Sequence, residues 1–242
     1  MNPTNKPSPS DLAGSTAIVT GASRGFGRGI AAALTAAGAR VYGVARSGGD
    51  VTADAADPAT AARLIDEYQP RTVVLCAGAA PQMSPLQEQT WESLSQNWNV
   101  DVAQAFHWIR HALARPLAPG SAVIVISSGA AINGSPLSGG YAGAKATVKF
   151  ITGYAALESE RAGLGIDFVS VLPSLTPSTD LGAKAVAAYA ERQGVDLDTF
   201  IQSLQPALTA EQVGKSVLEI ATGERRDHRA YTLSSAGLSP LG

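Results

Sequence analysis

Thr16-Ala-Ile-Val-Thr-Gly-Ala-Ser-Arg-Gly-Phe-Gly-Arg-Gly-Ile30 joins a short apolar run to a glycine-rich turn and then to a helix-period pattern. The run Thr16–Thr20 reads as a buried strand that ends in Gly21. From about Gly25 to Ala37, Phe26, Ile30, Ala33, Leu34 and Ala37 fall on one helix face, and Gly38 closes the segment. The next strand is Arg40–Ala45. Strand, glycine turn, helix and second strand in that order open a parallel α/β chain.

The alternation continues outward. Asp57-Pro58 starts a helix that runs to about Tyr68, with proline in its tolerated first turn. Strands follow at Thr72–Leu75, Ala122–Ser127, Ile166–Leu172 and Arg229–Leu233. Between them lie a long helical region from about Trp91 to Leu113 and helices over Lys145–Arg161 and Ala210–Thr222. Strands apolar on both faces belong to a sheet covered on two sides. The fold class is therefore α/β, a single doubly wound parallel sheet of Rossmann type with helices on both faces. A length of 242 residues suits one domain over residues 11–242, after a lead at residues 1–10 that holds three prolines and reads as disordered. Pro173, Pro177 and Pro206 bracket a weak helical pattern, and residues 174–206 are expected to form a lid over a substrate.

Composition excludes several functions. Eighteen basic and twenty acidic side chains leave a net charge of −2, with no basic surplus for a nucleic acid. Cys76 is the sole cysteine, which rules out an internal disulfide and a cysteine-rich zinc site. No window of eighteen apolar residues would span a membrane and no apolar run near the start resembles a secretory signal, so the expected compartment is cytoplasmic. His107 and His111 share a helix face without a third ligand in register, and no metal is expected. Trp91, Trp98 and Trp108 form no base-stacking platform, and Glu224-Arg-Arg-Asp-His-Arg229 reads as a solvated turn.

The turn Thr20-Gly-Ala-Ser-Arg-Gly-Phe-Gly27 carries chemistry because of where it sits. Gly21 permits a tight strand exit, and Gly25 and Gly27 let a pyrophosphate approach the backbone. The unpaired N–H groups and positive end of the following helix then face the phosphates, with Ser23 and Phe26 in the same loop. The spacing is G-x-x-x-G-x-G rather than G-x-G-x-x-G. A free ribose 2′-OH is normally held by a carboxylate at the end of the second strand, but Ala45-Arg46-Ser47 stands there. A guanidinium pairs with a 2′-phosphate that a carboxylate would repel, and Arg24 adds a second cation. The cofactor expected is NADP(H).

Tyr141-Ala-Gly-Ala-Lys145 places a phenol and an ammonium one helical turn apart on one face. A phenol with a pKa near 10 exchanges protons poorly at neutral pH, and a neighbouring ammonium favours the phenolate. Such a pair is a general acid or base for an alcohol/carbonyl couple. Ser128 follows the apolar strand Ala122–Ser127, at a carboxyl end of the sheet, where open α/β folds bind ligands.

With these residues assembled, the chain resembles the short-chain dehydrogenase/reductase family from Leu12 to about Leu233. The glycine turn, Asp54-Ala-Ala-Asp57, Cys76-Ala-Gly78, Asn99, Ser128 and the Tyr141/Lys145 pair occur in the family's order and near its spacings. The resemblance implies Tyr141 as acid/base, Ser128 as the group that orients the substrate, and Lys145 on the nicotinamide ribose. Asn99 resembles the family's helix-kinking asparagine, which anchors a proton-relay water. Asp54 and Ala55 resemble adenine contacts, Cys76, Ala77 and Gly78 the turn beside the adenosine ribose, and Pro173, Ser174 and Thr176 the segment beside the nicotinamide. Three departures stand out: Cys76 replaces the usual asparagine, Ser174 the usual glycine, and Tyr231-Thr-Leu-Ser-Ser-Ala-Gly the usual Asp-Gly-Gly ending.

The expected reaction is hydride transfer between NADP(H) and a small carbonyl or secondary alcohol. Reduction of a C=N or activated C=C bond, and a non-catalytic NADP-binding sensor or scaffold, are the alternatives. Leu94, Trp98, Val102, Ala105, Phe106, Ile109 and Leu113, with Val148, Ile151, Tyr154 and Leu157, put apolar side chains on more than one helix face. A homodimer or homotetramer should cover the outer faces, and the resemblance implies the same.

Overall fold

The protein, seen in a computed structural model, is described over residues 12–241; the lead expected at residues 1–10 lies outside them. In chain order the elements are β1 (Thr16–Thr20), α1 (Gly25–Ala36), β2 (Arg40–Ala45), β3 (Val51–Thr52), α2 (Pro58–Tyr68), β4 (Thr72–Leu75), α3 (Trp91–Asn97), a π-helical turn (Trp98–Val102) and α4 (Ala103–Ala114). They continue with β5 (Ala122–Ile126), α5 (Ala130–Asn133), α6 (Gly139–Arg161), β6 (Asp167–Pro173), α7 (Asp180–Gln193), α8 (Leu197–Ser203), α9 (Ala210–Thr222), β7 (Ala230–Ser234) and β8 (Gly237–Pro240). The sheet runs β3-β2-β1-β4-β5-β6-β7-β8 and is parallel except for the last pair. The order reverses between β1 and β4, which opens a crevice at the carboxyl ends of those strands.

Two apolar layers sandwich the sheet, as the doubly wound reading requires. Ile30 and Leu34 of α1 pack with Val213, Val217 and Ile220 of α9 on one face. Leu64 and Ile65 of α2, Trp108 of α4 and Val148 of α6 cover the other. The central strands β4 and β5 are buried along their whole length, hence their continuous apolar sequence.

The glycines of the opening stretch are explained by close backbone approach. Gly21 has φ +70°, and a Cβ there would lie 2.8 Å from the Ala77 backbone. A Cβ on Gly27 would stand 2.2 Å from the Gly21 carbonyl oxygen, and one on Gly29 would stand 2.2 Å from that of Ala210. Glycine thus lets α1 settle onto the β1 exit at one end and against α9 along its side.

Several elements differ from the sequence expectation. The long helical region is interrupted by the π-helical turn, and residues 174–206 hold two helices, α7 and α8. The helix carrying Tyr141 starts at Gly139, and its second residue is glycine because a Cβ on Gly140 would strike the Leu94 carbonyl oxygen of α3 at 2.1 Å. Arg226, expected in a solvated turn, instead donates to the carbonyls of Ile220 and Ala221 at the end of α9, to the Gly120 carbonyl and to Asp167. It caps one helix and ties that end to the starts of β5 and β6.

Substituting Gly21→Ala should lower stability by about 1–3 kcal/mol, since a left-handed backbone and a backbone clash coincide there. Chemical denaturation reads the loss directly; an unchanged midpoint would show that the turn relaxes freely.

Candidate active site

Above the carboxyl ends of the central strands lies a cleft of ≈ 1620 Å³, lined from the glycine turn to α7 and α8. A single small-molecule site occupies roughly 300–1,000 Å³, so this cleft has room for a dinucleotide and a substrate together. Its floor is held by a small polar hub. Thr20 Oγ1 accepts from the N–H groups of Cys76 and Ala77 at 2.9 and 3.1 Å and donates to Gln104 Oε1 at 2.5 Å. Gln104 Nε2 returns a hydrogen bond to the Ala77 carbonyl at 2.8 Å. These bonds join β1, the β4 exit and α4 in the place where the sequence reading left Cys76 without a side-chain bridge. Neither Thr20 nor Gln104 was singled out from sequence.

The glycine turn forms one end of the cleft. Arg24 stands at the N-cap of α1 in extended conformation, and no side chain caps the helix. The first N–H groups of α1 are thereby left without a side-chain acceptor, next to the exposed Ser23. Arg46 and Ser47 are exposed on the rim at the β2 exit, and Arg46 has no side-chain partner among the described residues. The Arg24 guanidinium lies 3.6 Å from Asp180 at the start of α7. Both side chains of that pair are largely exposed, so the contact contributes little stability. Asp54 folds back on its own loop by accepting from the Ala56 N–H, and Ala55 is buried, its carbonyl bonded to the indole of Trp108 at 2.9 Å.

The other end gathers Ser128, Tyr141 and Lys145 on the cleft wall. Ser128 lies just past β5, and its Oγ accepts from the Ala130 N–H at 3.2 Å. Tyr141 is half-buried in the first turns of α6, with the Lys145 ammonium 5.7 Å from its ring centre. Lys145 is buried and donates to the Ile126 carbonyl at 3.0 Å. Ser127, the buried neighbour of Ser128, fastens the helix by donating to the Lys145 carbonyl at 2.8 Å. Pro173 and Ser174 follow at the β6 exit, and Thr176 is buried with its hydroxyl donating to the Leu208 carbonyl at 2.7 Å, which ties the two ends of the segment holding α7 and α8 together.

Asn99 is corrected by the structure. It is exposed and does not line the cleft. The polar side chains buried on this segment are Asn97, Asp101 and Gln104, which lie three or four residues apart on the inner face, with Asn99 opposite. Gly78 lines the cleft, and a Cβ there would lie 2.7 Å from Asp101 Oδ1, so the glycine also makes room for that carboxylate.

Residues 21–224 match the sequence model of the family described as enoyl-(acyl carrier protein) reductase, within the short-chain dehydrogenase/reductases. The chain belongs to this family. Among its relatives, the hydroxynaphthalene reductase of Aspergillus fumigatus is 27% identical over 243 residues, covering 87% of each protein. The L-xylulose reductase of Bos taurus is 29% identical over 182 residues, 69% of this chain and 74% of that one. Among solved structures, a short chain dehydrogenase from Burkholderia cenocepacia in complex with NADP superimposes with a TM-score of 0.77 at 25% identity, over 92% of this chain and 97% of that chain. This short-chain dehydrogenase/reductase is accordingly an oxidoreductase built on the expected parallel sheet. No helix among the described residues is long and apolar enough to cross a membrane.

Proposed function

We propose that this oxidoreductase transfers hydride between NADP(H) and a small carbonyl or secondary alcohol, with Ser128, Tyr141 and Lys145 as its catalytic residues. One observation carries the reading: a phenol, a serine hydroxyl and a buried ammonium share the wall of a dinucleotide-sized cleft whose other end is the uncapped start of α1. When bound, the nicotinamide supplies or accepts the hydride. In the reductive direction Ser128 and Tyr141 donate hydrogen bonds to the substrate oxygen, and Tyr141 delivers its proton as charge develops there. Lys145 favours the phenolate that remains. Asp54, Ala55, Cys76, Ala77 and Gly78 line the adenosine end; Pro173, Ser174 and Thr176 bound the nicotinamide end. The relatives' names as hydroxynaphthalene and L-xylulose reductases and the NADP held by the Burkholderia cenocepacia structure support this reading.

The family description favours one further reading, reduction of an activated C=C bond at the same site. Product analysis separates them: an alcohol supports carbonyl chemistry, and a saturated carbonyl compound replaces it.

Arg46 is proposed to hold the 2′-phosphate. Apolar side chains also remain uncovered on α4 and α6, where Phe106 and Tyr154 are 48% and 61% exposed beside a surface groove of ≈ 500 Å³. We assign this face to a homodimer or homotetramer contact.

Three outcomes follow. Tyr141→Phe should lose most turnover while NADPH still binds nearly as well; turnover close to that of the wild type would remove Tyr141 from the chemistry. Arg46→Ala should weaken NADPH about ten- to a hundredfold and NADH little, and equal weakening of both would make Arg46 a bystander. Light scattering at micromolar concentration should give a multiple of 24.7 kDa; the monomer mass would refute assembly.

A further inference from the structure

Beneath the Tyr141/Lys145 pair lies a buried ion pair that the reading above does not use. Asp101, on the π-helical turn, is 2% exposed and sets Oδ1 2.9 Å from the Lys145 ammonium. Its other oxygen, Oδ2, accepts from the Ala79 N–H at 3.0 Å and from Asn97 Nδ2 at 3.2 Å. The ammonium therefore faces one oxygen as an ion pair, and N–H donors face the other. A carboxylate can accept on both sides, whereas an amide in the same place would turn its NH₂ toward one set of donors. The same side chain requires Gly78, as shown above.

We infer that Asp101 is a positioning residue for the acid–base pair: its carboxylate is the counter-ion that keeps the buried Lys145 ammonium charged and seated between β5 and the π-helical turn. The inference rests on the reading that Tyr141 and Lys145 carry the chemistry. The groups facing Lys145 are Asp101 from the turn, Cys76 from the β4 exit, Tyr141 from its own helix and the Ile126 carbonyl from β5. Burial disfavours the ammonium, but Asp101, Tyr141 and Cys76 outweigh it and hold Lys145 above the ordinary lysine range. Burial pushes the Cys76 thiol up to about 11, so over the neutral range Cys76 brings no charge to the cluster. Asp101 is then the carboxylate in contact with the ammonium. Without it, desolvation acts on Lys145 with less opposition and its proton is held less tightly.

A thermodynamic cycle tests the pair on the full chain without any substrate. Asp101→Asn and Lys145→Met each leave one buried charged partner uncompensated and should each lower the thermal midpoint. Combining them removes both charges and should recover at least half of the summed loss. Recovery of soluble, folded double variant where Asp101→Asn alone fails to fold supports the pair equally. Additive losses would overturn it, because two independent structural roles do not compensate each other.

Turnover against pH provides the second readout. Asp101→Asn should acquire an alkaline loss of kcat at least one pH unit below that of the wild type, as Lys145 gives up its proton earlier. A profile that only scales down, with unmoved limbs, would reduce Asp101 to a structural role. Compensation in the cycle together with an active Tyr141→Phe would leave the ion pair standing and discard the proposed chemistry, so the two failures are distinguishable.

Discussion

The absence of side chains at Gly21, Gly27 and Gly29 fixes the distance between α1 and the rest of the molecule. Backbone meets backbone at the β1 exit, where a Cβ on Gly21 or Gly27 would overlap Ala77 or the Gly21 carbonyl, and again where Gly29 faces Ala210. That contact holds the uncapped start of α1 over the point where the strand order reverses. Everything at the cleft follows from it: the exposed N–H groups, the rim at Arg46, and the alignment of the β4 exit with β1 through Thr20 and Gln104. A larger residue at any of these glycines would lift the helix and open a floor that the hub is too short to bridge.

The two ends of the cleft use charge differently. At the β2 exit, Arg46 is exposed without a side-chain partner among the described residues, as suits the anion recognition proposed for it. At the far end Lys145 is buried against Asp101, so its charge is paired within the protein and shielded from salt. The first arrangement suits the cofactor selection proposed for Arg46, and the second suits the proton donor proposed at Tyr141.

Periodicity made most of the sheet legible, because buried parallel strands are continuous apolar runs and the glycine turn marks the first crossover. Short elements escaped for a physical reason. β3 has two residues, and β8 gains its place only by pairing with β7, too little sequence for a pattern. Glycine ordinarily opposes helix, yet α6 opens at Gly139-Gly140, two residues before Tyr141, and the packing of Gly140 on Leu94 explains the choice. The family resemblance points to Asn99 as the helix-kinking asparagine, whereas counting back from Ala112 through Trp108 and Ala105 reaches Asp101 and Asn97 on the inner face. That helical count was available in the sequence. The partner across the cleft was not, since Asp101 meets Lys145 across 44 residues of chain and acquires its role only when α6 packs on the turn.

The structure of the complex with NADPH tests the account most directly. The pyrophosphate should sit on the N–H groups at the start of α1, with the 2′-phosphate at Arg46 and the nicotinamide between Tyr141 and Pro173. A dinucleotide bound in the opposite sense, or away from the glycine turn, would contradict it.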